Sequence, residues 1–179
     1  MRLLFLLLFH LALLIANSQE EDLFFYVESP PNLSYSYQIQ PANALGPRFP
    51  EKSSTSLQLV YAYPAHACTT IQNLLAYGKV LLIERGECSF FEKAQHAEDV
   101  GARYVIITDS EKNDHENVDM ISDDGSRVNT PVAYLIGASG RKLRDYLMYG
   151  KENIYITIPL NHSLTSLKDI PSKPPWEYW

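Results

Sequence analysis

Residues Val80–Ala102, VLLIERGECSFFEKAQHAEDVGA, together with YVIIT at 104–108, decide the fold. VLLIE and YVIIT are continuous apolar runs of strand length, which is typical of strands buried on both faces. Between them, Ser89 and Glu92 have the spacing of a helix capping box, and Gly101 is placed to end that helix. Strand, helix and strand within about 30 residues predict a βαβ unit with parallel strands and a right-handed crossover.

Further strands and one more helix surround this unit. SGRKLRDYLMYG predicts a helix that is capped by Ser139 and stopped by Gly150, with Leu143 and Leu147 facing inward. Aromatic and β-branched residues, partly alternating with polar ones, predict strands at 23–28, 35–40, 57–62, 130–137 and 153–160. We therefore expect an α+β fold that is rich in strands and has two main flanking helices.

The ends of the chain indicate the secretory pathway. Arg2 precedes an apolar run with the length of a signal-peptide core, and the small residues Ala16 and Ser18 predict cleavage after Ser18, with the bond after Ala16 as the alternative. No other apolar segment approaches the roughly 20 residues that a spanning helix needs. We expect a secreted protein, or one in the lumen of the secretory pathway, without a membrane span.

The chain therefore divides into three predicted parts. Residues 1–18 are the signal peptide, residues 19–160 are a single domain whose core motif region is 57–150, and residues 161–179 are a tail rich in proline and aromatic residues. Sequons at Asn32 and Asn161 predict N-glycosylation, which requires that both positions lie at the surface.

Net charge limits the possible partners. The formal charge of −6 becomes −7 when the signal peptide, whose only charged residue is Arg2, is removed (−6 − 1 = −7). An acidic chain without a basic cluster is poorly suited to nucleic acid or to anionic lipid.

Two cysteines, Cys68 and Cys88, predict one disulfide in an oxidising compartment. The loop that it closes, about 20 residues, would stabilise the fold by roughly 3 kcal/mol. The alternative is a free, nucleophilic Cys88, since this residue lies beside a helix N-terminus that favours a thiolate. His96 is badly placed to act as its base, because it lies about two helical turns further on.

Other candidate chemistry is weak, and we expect neither a cofactor nor a metal site. Ser139 lies in GASG, which does not fit the G-x-S-x-G pattern of a nucleophile elbow, so a helix cap is favoured. The acidic segment 109–124 is favoured as a solvated loop. Its possible ligands for calcium do not follow the EF-hand spacing: Asp114, His115, Glu116, Asp119, Asp123 and Asp124.

Residues 67–110, ACTTIQNLLAYGKVLLIERGECSFFEKAQHAEDVGARYVIITDS, resemble the protease-associated (PA) domain. The resemblance rests on the cysteine, the G-K-hydrophobic run, the R-G-x-C-x-F turn, the lysine and the helix alanines. NTPVAYLIGASGRKLRDYL fits the second half of that domain, while the A-G-A end of the helix here reads Val100-Gly101-Ala102. The resemblance implies a β-rich sandwich or barrel that serves as an interaction or substrate-positioning module and has no active site of its own.

Residues and resemblance both predict a non-catalytic protein that binds an unknown protein or peptide. The candidate contacts are Arg85, Gly86 and Glu87, because loops after such strands commonly carry binding residues. In the alternative, Arg85 only pairs with a nearby carboxylate to hold the turn. Two further functional alternatives are an accessory subunit of a separate peptidase and a hydrolase that depends on the Cys88 thiol or on a metal in the acidic loop.

The tail presents a separate choice, because its aromatic residues Trp176, Tyr178 and Trp179 are costly to leave in water. Either the tail packs back on the domain, or it is an exposed peptide that is offered to a partner.

Overall fold

In the part of the chain that the structure describes, there are seven strands, two α-helices and two short 3-10 helices. The computed structural model describes residues 23–73, 75–109, 118–160 and 172–177. The strands are β1 (Leu23–Ser29), β2 (Ser36–Pro41), β3 (Ser54–Tyr61), β4 (Val80–Glu84), β5 (Tyr104–Thr108), β6 (Val132–Leu135) and β7 (Ile154–Leu160). The helices are α1 (Phe90–Asp99) and α2 (Gly137–Tyr149), and the 3-10 helices are Pro31–Leu33 and Pro175–Glu177.

Several predictions fall outside these residues. They are the signal peptide at 1–18, the sequon at Asn161, the part of the acidic segment at 110–117, and the last two aromatic residues, Tyr178 and Trp179.

The strands close into a barrel in the order β1-β2-β6-β5-β4-β3-β7. Strands β3, β4, β5 and β6 pair in parallel, whereas β1, β2 and β7 are joined to their neighbours by antiparallel pairing. The unit β4-α1-β5 is the βαβ unit that the sequence predicts, and both of its strands are buried along their whole length. The expected β-rich α+β fold is confirmed as a barrel.

Two apolar cores lie on opposite sides of the parallel strands. Alternate residues of β4 face opposite ways, so Leu81 and Ile83 pack beneath α1 while Val80 and Leu82 pack inside the barrel. Helix α1 presents Ala94 and Ala97, whose small side chains let it lie close to the sheet.

Both ends of α1 form as the sequence predicts. Ser89 Oγ accepts from the Glu92 amide at 3.2 Å, and the Glu92 carboxylate accepts from the Ser89 amide at 3.0 Å, which completes the capping box. Gly101 follows the helix with φ of +73°, a conformation that is strained for any other residue.

The start of α2 differs from the prediction. The helix begins at Gly137 without a side-chain cap, so the prediction that Ser139 caps it is wrong. Ser139 lies in the first turn, where its hydroxyl bonds the C-terminal tail instead. The close approach of α2 to β5 explains Gly140, since a Cβ there would lie 1.7 Å from Thr108 Oγ1.

The far end of α2 agrees with the sequence. The helix ends at Tyr149, directly before Gly150, and Leu143 is fully buried in the barrel core, against which Leu147 packs. Neither helix of the described part combines the length and the hydropathy that crossing a membrane requires.

Candidate binding site at the disulfide-linked turn

Polar side chains gather where the parallel strands end. Tyr61 ends β3, Glu84 ends β4, and Asp109 directly follows β5. The carboxyl ends of neighbouring parallel strands share one edge of a sheet, which is where ligands of α/β proteins commonly bind. The predicted turn Arg85–Glu87 leaves β4 at this same edge.

A disulfide ties this turn to the loop between β3 and β4. Cys68 and Cys88 are bonded, with their Cα atoms 5.7 Å apart, which confirms the predicted pairing. These are the two cysteines of the chain, so neither sulfur is a free thiol. The alternative of a nucleophilic Cys88 is therefore not what the structure shows.

The backbone of the turn has an unusual conformation. Gly86 has φ of +104° and Glu87 follows with φ of +66°, and the left-handed region is unfavourable for a residue with a side chain. The Glu87 side chain is 66% exposed. The turn therefore presents a carboxylate on a backbone that surrounding contacts must hold in place.

Lys93 supplies one of these contacts. This lysine of α1 is fully buried, and its Nζ donates to the carbonyl oxygens of His66 at 2.6 Å and Gly86 at 2.5 Å. The same nitrogen lies 3.6 Å from Cys68 Sγ and 3.5 Å from Cys88 Sγ. Burial lowers the pKa of Lys93 to about 8. One ammonium thus joins both segments that the disulfide links.

Sequence reasoning missed the role of Lys93, although a signal was present. Phe90, Lys93, Ala94 and Ala97 follow the helical spacing of one face, so the lysine lies within the apolar stripe of α1. A lysine is almost never fully buried unless it is paired, which makes this position informative.

Arg85 pairs with a carboxylate on the outer side of the sheet. Its Nη1 lies 3.4 Å from Asp109 Oδ1, and its amide donates to the Thr108 carbonyl at 2.8 Å. The Tyr134 hydroxyl donates to the other oxygen of Asp109. The structural alternative for Arg85, that it holds the turn, is therefore what the geometry supports.

A second cluster of polar side chains surrounds Glu84, on the side of the sheet that faces the barrel interior. Glu84 is only 8% exposed. Tyr61 Oη donates to Glu84 Oε1 at 2.7 Å, and Arg144 Nη1 lies 3.3 Å from the same oxygen. Burial, together with the bond to Glu84, raises the pKa of Tyr61. Because Arg144 comes from α2 and Tyr61 from β3, no local pattern in the sequence indicates this cluster.

The comparisons with known proteins agree with this architecture. The PA domain family matches residues 55–143. A Drosophila melanogaster protein described as PRADC1-like protein is 37% identical over 164 residues, which cover 88% of this chain and 83% of the fly protein. The chain belongs to the PA-domain family.

Other similar proteins are matched over a smaller part of their own length. Signal peptide peptidase-like 2 of Arabidopsis thaliana is 32% identical over 97 residues, which cover 54% of this chain and 18% of that protein. The aminopeptidase from Aneurinibacillus sp. strain AM-1 has the same fold at a TM-score of 0.56 and 22% identity, over 79% of this chain and 31% of its own. The chain spans less than a third of these two peptidases.

The remaining residues for which the sequence predicts a chemical role either bind other groups of this PA domain or lie away from the turn. His96 Nδ1 lies 2.8 Å from the Ala67 carbonyl oxygen, so this ring binds backbone. Among residues 23–73, 75–109, 118–160 and 172–177, no three histidine, cysteine or acidic side chains are grouped as metal ligands. His115 and its acidic neighbours at 110–117 are outside these ranges, so the calcium alternative stays a prediction.

The described part of the tail packs against the PA domain. Trp176 Nε1 donates to Ser139 Oγ at 3.0 Å, and its ring meets Tyr35 edge-on with centroids 5.4 Å apart. Lys142 Nζ lies 5.6 Å from the Trp176 ring. The packed alternative is confirmed for Trp176. Asn32, the sequon of the described part, is exposed in the first 3-10 helix.

Proposed function

We propose that this chain is a secreted, N-glycosylated and non-catalytic PA-domain protein that binds a protein or peptide partner through the turn Arg85–Glu87. The observation that carries the proposal is the exposure of the Glu87 carboxylate together with the left-handed backbone conformation of this residue. The disulfide and buried Lys93 hold that backbone from two sides. Because the backbone of Glu87 is held in this way, little backbone conformational entropy is lost when the residue binds a partner.

The bonding of the potential nucleophiles supports a non-catalytic role. The two cysteine sulfurs are bonded to each other. Ser139 Oγ donates to the Glu177 carboxylate and accepts from Trp176 Nε1, so its hydrogen bonds tie down the tail. A thiol-dependent reaction at Cys88 would first need the disulfide to be reduced.

Several features of the chain support a location in the secretory pathway. An apolar N-terminal run after Arg2, two sequons and a disulfide all suit an oxidising lumen. Asn32 is exposed and therefore accessible to glycosylation.

A second candidate is an accessory subunit of a separate peptidase. It is favoured by the similarity to proteins named as peptidases, in which the matched segment is 18% and 31% of the chain. In this alternative the partner is itself a peptidase, and the turn positions the partner or its substrate.

Capture with a matched pair of variants tests the binding role. The full mature protein, Glu87→Arg and Glu152→Arg are immobilised and exposed to medium from producing cells. Glu152 is an exposed acidic residue in the loop before β7, so its variant has the same change of charge at another place. We expect a protein that binds the wild type and Glu152→Arg but not Glu87→Arg. Identical binding by all three would contradict the proposal, whereas a captured peptidase with altered activity would favour the accessory role.

Expression of the full chain tests the location. We expect the protein in the medium, with a mass that falls after treatment with a peptide N-glycosidase. Asn32→Gln and Asn161→Gln should each remove one glycan. Retention of an unprocessed chain in the cytosol would overturn the secretory part of the proposal.

A further inference from the structure

The ring of His66 packs against the candidate turn. A Cβ on Gly86 would lie 3.9 Å from His66 Nδ1, so the imidazole covers this glycine. Nδ1 itself lies 3.0 Å from the carbonyl oxygen of Arg85. A carbonyl oxygen can only accept a hydrogen bond, so Nδ1 must carry the hydrogen.

The other ring nitrogen faces two carboxylates. His66 Nε2 lies 3.5 Å from Glu87 Oε1 and 3.8 Å from Glu84 Oε2. In a neutral imidazole with hydrogen on Nδ1, Nε2 is an unprotonated acceptor. It would then direct a lone pair at two acceptors. Protonation turns both repulsive contacts into attractive ones, because Nε2 becomes a charged donor.

The neighbouring groups leave one carboxylate oxygen of Glu84 facing His66 Nε2. Tyr61 and Arg144 both bind Glu84 Oε1, so the other oxygen of Glu84 remains directed at His66. Among the described residues, the charged and titratable groups around His66 and its partners are Tyr61 of β3, Glu84 of β4, Arg85 and Glu87 of the turn, Lys93 and His96 of α1, and Arg144 of α2. Arg85 is paired with Asp109, and Lys93 binds the carbonyl of His66, which opposes a second positive charge.

We propose that His66 is the positioning residue of the turn and that proton uptake on Nε2 fastens the Glu87 carboxylate to it. The protonated ring joins the Arg85 carbonyl, Glu84 and Glu87, and thereby orders the turn in acid. Loss of the proton releases Glu87. Resting on the proposed function, this makes the availability of Glu87 to a partner depend on pH, with the carboxylate free near neutrality and held by His66 in acid.

NMR on the isolated, isotopically labelled mature protein tests this proposal between about pH 5.5 and 7.5, the range in which imidazoles change charge. We expect the amide signals of Gly86 and Glu87 to follow the titration of the His66 ring. Exchange protection of the Glu87 amide, corrected for intrinsic rate, should rise about two- to fivefold in acid, as for a partly exposed ion pair.

Two variants separate proton uptake from a merely structural role. In His66→Asn, the amide nitrogen still donates to the Arg85 carbonyl but takes up no proton, so the pH dependence at Glu87 should vanish while the fold remains. In Glu87→Gln, the side chain carries no charge to pair with a protonated Nε2, so the acid-dependent protection of the amide at position 87 should fall, and the control Glu152→Gln should retain it. Protection in acid that persists unchanged in His66→Asn or in Glu87→Gln would overturn the proposal.

These measurements need no partner, so their failure leaves the proposed binding role untouched. Conversely, a pH response of Glu87 together with capture that is insensitive to Glu87→Arg would contradict the proposed binding role and support the role of His66.

Discussion

At the scale of single residues, Lys93 connects the helix to the turn. Its ammonium satisfies two backbone carbonyls at 2.5 and 2.6 Å and lies beside both disulfide sulfurs. Replacing a buried charge with an apolar group is tolerated only when its partners are also removed. Here the partners are backbone atoms that cannot be removed.

Lys93→Met should destabilise the protein because it leaves the carbonyls of His66 and Gly86 without this donor. We expect a loss of about 2 to 4 kcal/mol in the free energy of unfolding, measured by urea denaturation at neutral pH. Lys151→Met, at an exposed lysine in the loop after α2, is the control and should change stability by no more than about 0.5 kcal/mol. Equal stabilities of the two variants would contradict the role of Lys93.

Stability should also depend on pH through Lys93. Its pKa falls from 10.5 to about 8 on folding because burial disfavours the charged form. Between these two values the unfolded chain binds more protons than the folded one, so the stability of the wild type rises with pH. The stability difference between wild type and Lys93→Met should therefore widen from neutral pH into this window. A constant difference in parallel urea titrations would show that Lys93 keeps an ordinary pKa.

At the scale of elements, the two helices begin by different means. Helix α1 has a complete capping box, whereas α2 begins at Gly137 without a side-chain cap. Both starts have a serine near them, but Ser89 has a glutamate three residues later, whereas Ser139 has Lys142 at that spacing. Helix α2 begins two residues before Ser139, and the hydroxyl of this serine binds the tail.

Alanine at each serine should separate the two roles. Ser89→Ala should lower the free energy of unfolding by about 1 kcal/mol, the usual cost of removing an N-cap. Ser139→Ala should instead release Trp176, visible as a red shift of its fluorescence. If Ser139→Ala left the emission unchanged, the contact between α2 and the tail would not form in solution.

The disulfide joins two elements that are distant along the chain. The double variant Cys68→Ser/Cys88→Ser should lose about 3 kcal/mol of stability, because the unfolded chain regains the freedom of a loop of about 20 residues. Reduced wild type should match it in the same urea titration. The unreduced protein should show no titratable thiol, and a reactive Cys88 would instead revive the thiol-dependent alternative.

At the scale of the whole molecule, the described part of the tail, residues 172–177, belongs to the fold. The Ser36 amide donates to the Ser172 carbonyl at 3.0 Å, and Trp176 packs against the barrel core. These contacts join the C-terminal segment to β2 and α2.

Deleting 174–179 should therefore lower the melting temperature. We expect a loss of about 2 kcal/mol from the apolar surface of Trp176, or roughly 5 °C for a domain of this size. A shorter deletion of 178–179 retains Trp176 and serves as the control in the same thermal scan. An equal drop in both truncations would show that Trp176 is not the source of the stability.

Much of this molecule was determined by the sequence alone. Local patterns set the buried strands β4 and β5, the capping box of α1 and the glycine that ends it, since each depends on residues a few positions apart. The pairing of Cys68 with Cys88 followed from an even count of two. The family followed from the R-G-x-C-x-F turn in its context, which the comparisons bear out.

Only the tertiary structure decided what surrounds the turn. Lys93 binds carbonyl oxygens from two loops. Glu84 binds a tyrosine from β3 and an arginine from α2, and the His66 ring lies beside two carboxylates. Ser139 meets the tail rather than its own helix. These partners are far apart along the chain, and barrel closure brings them together. Secondary-structure patterns are set by near neighbours, whereas the charge and hydrogen bonding of a site depend on contacts that exist only after the chain has closed on itself.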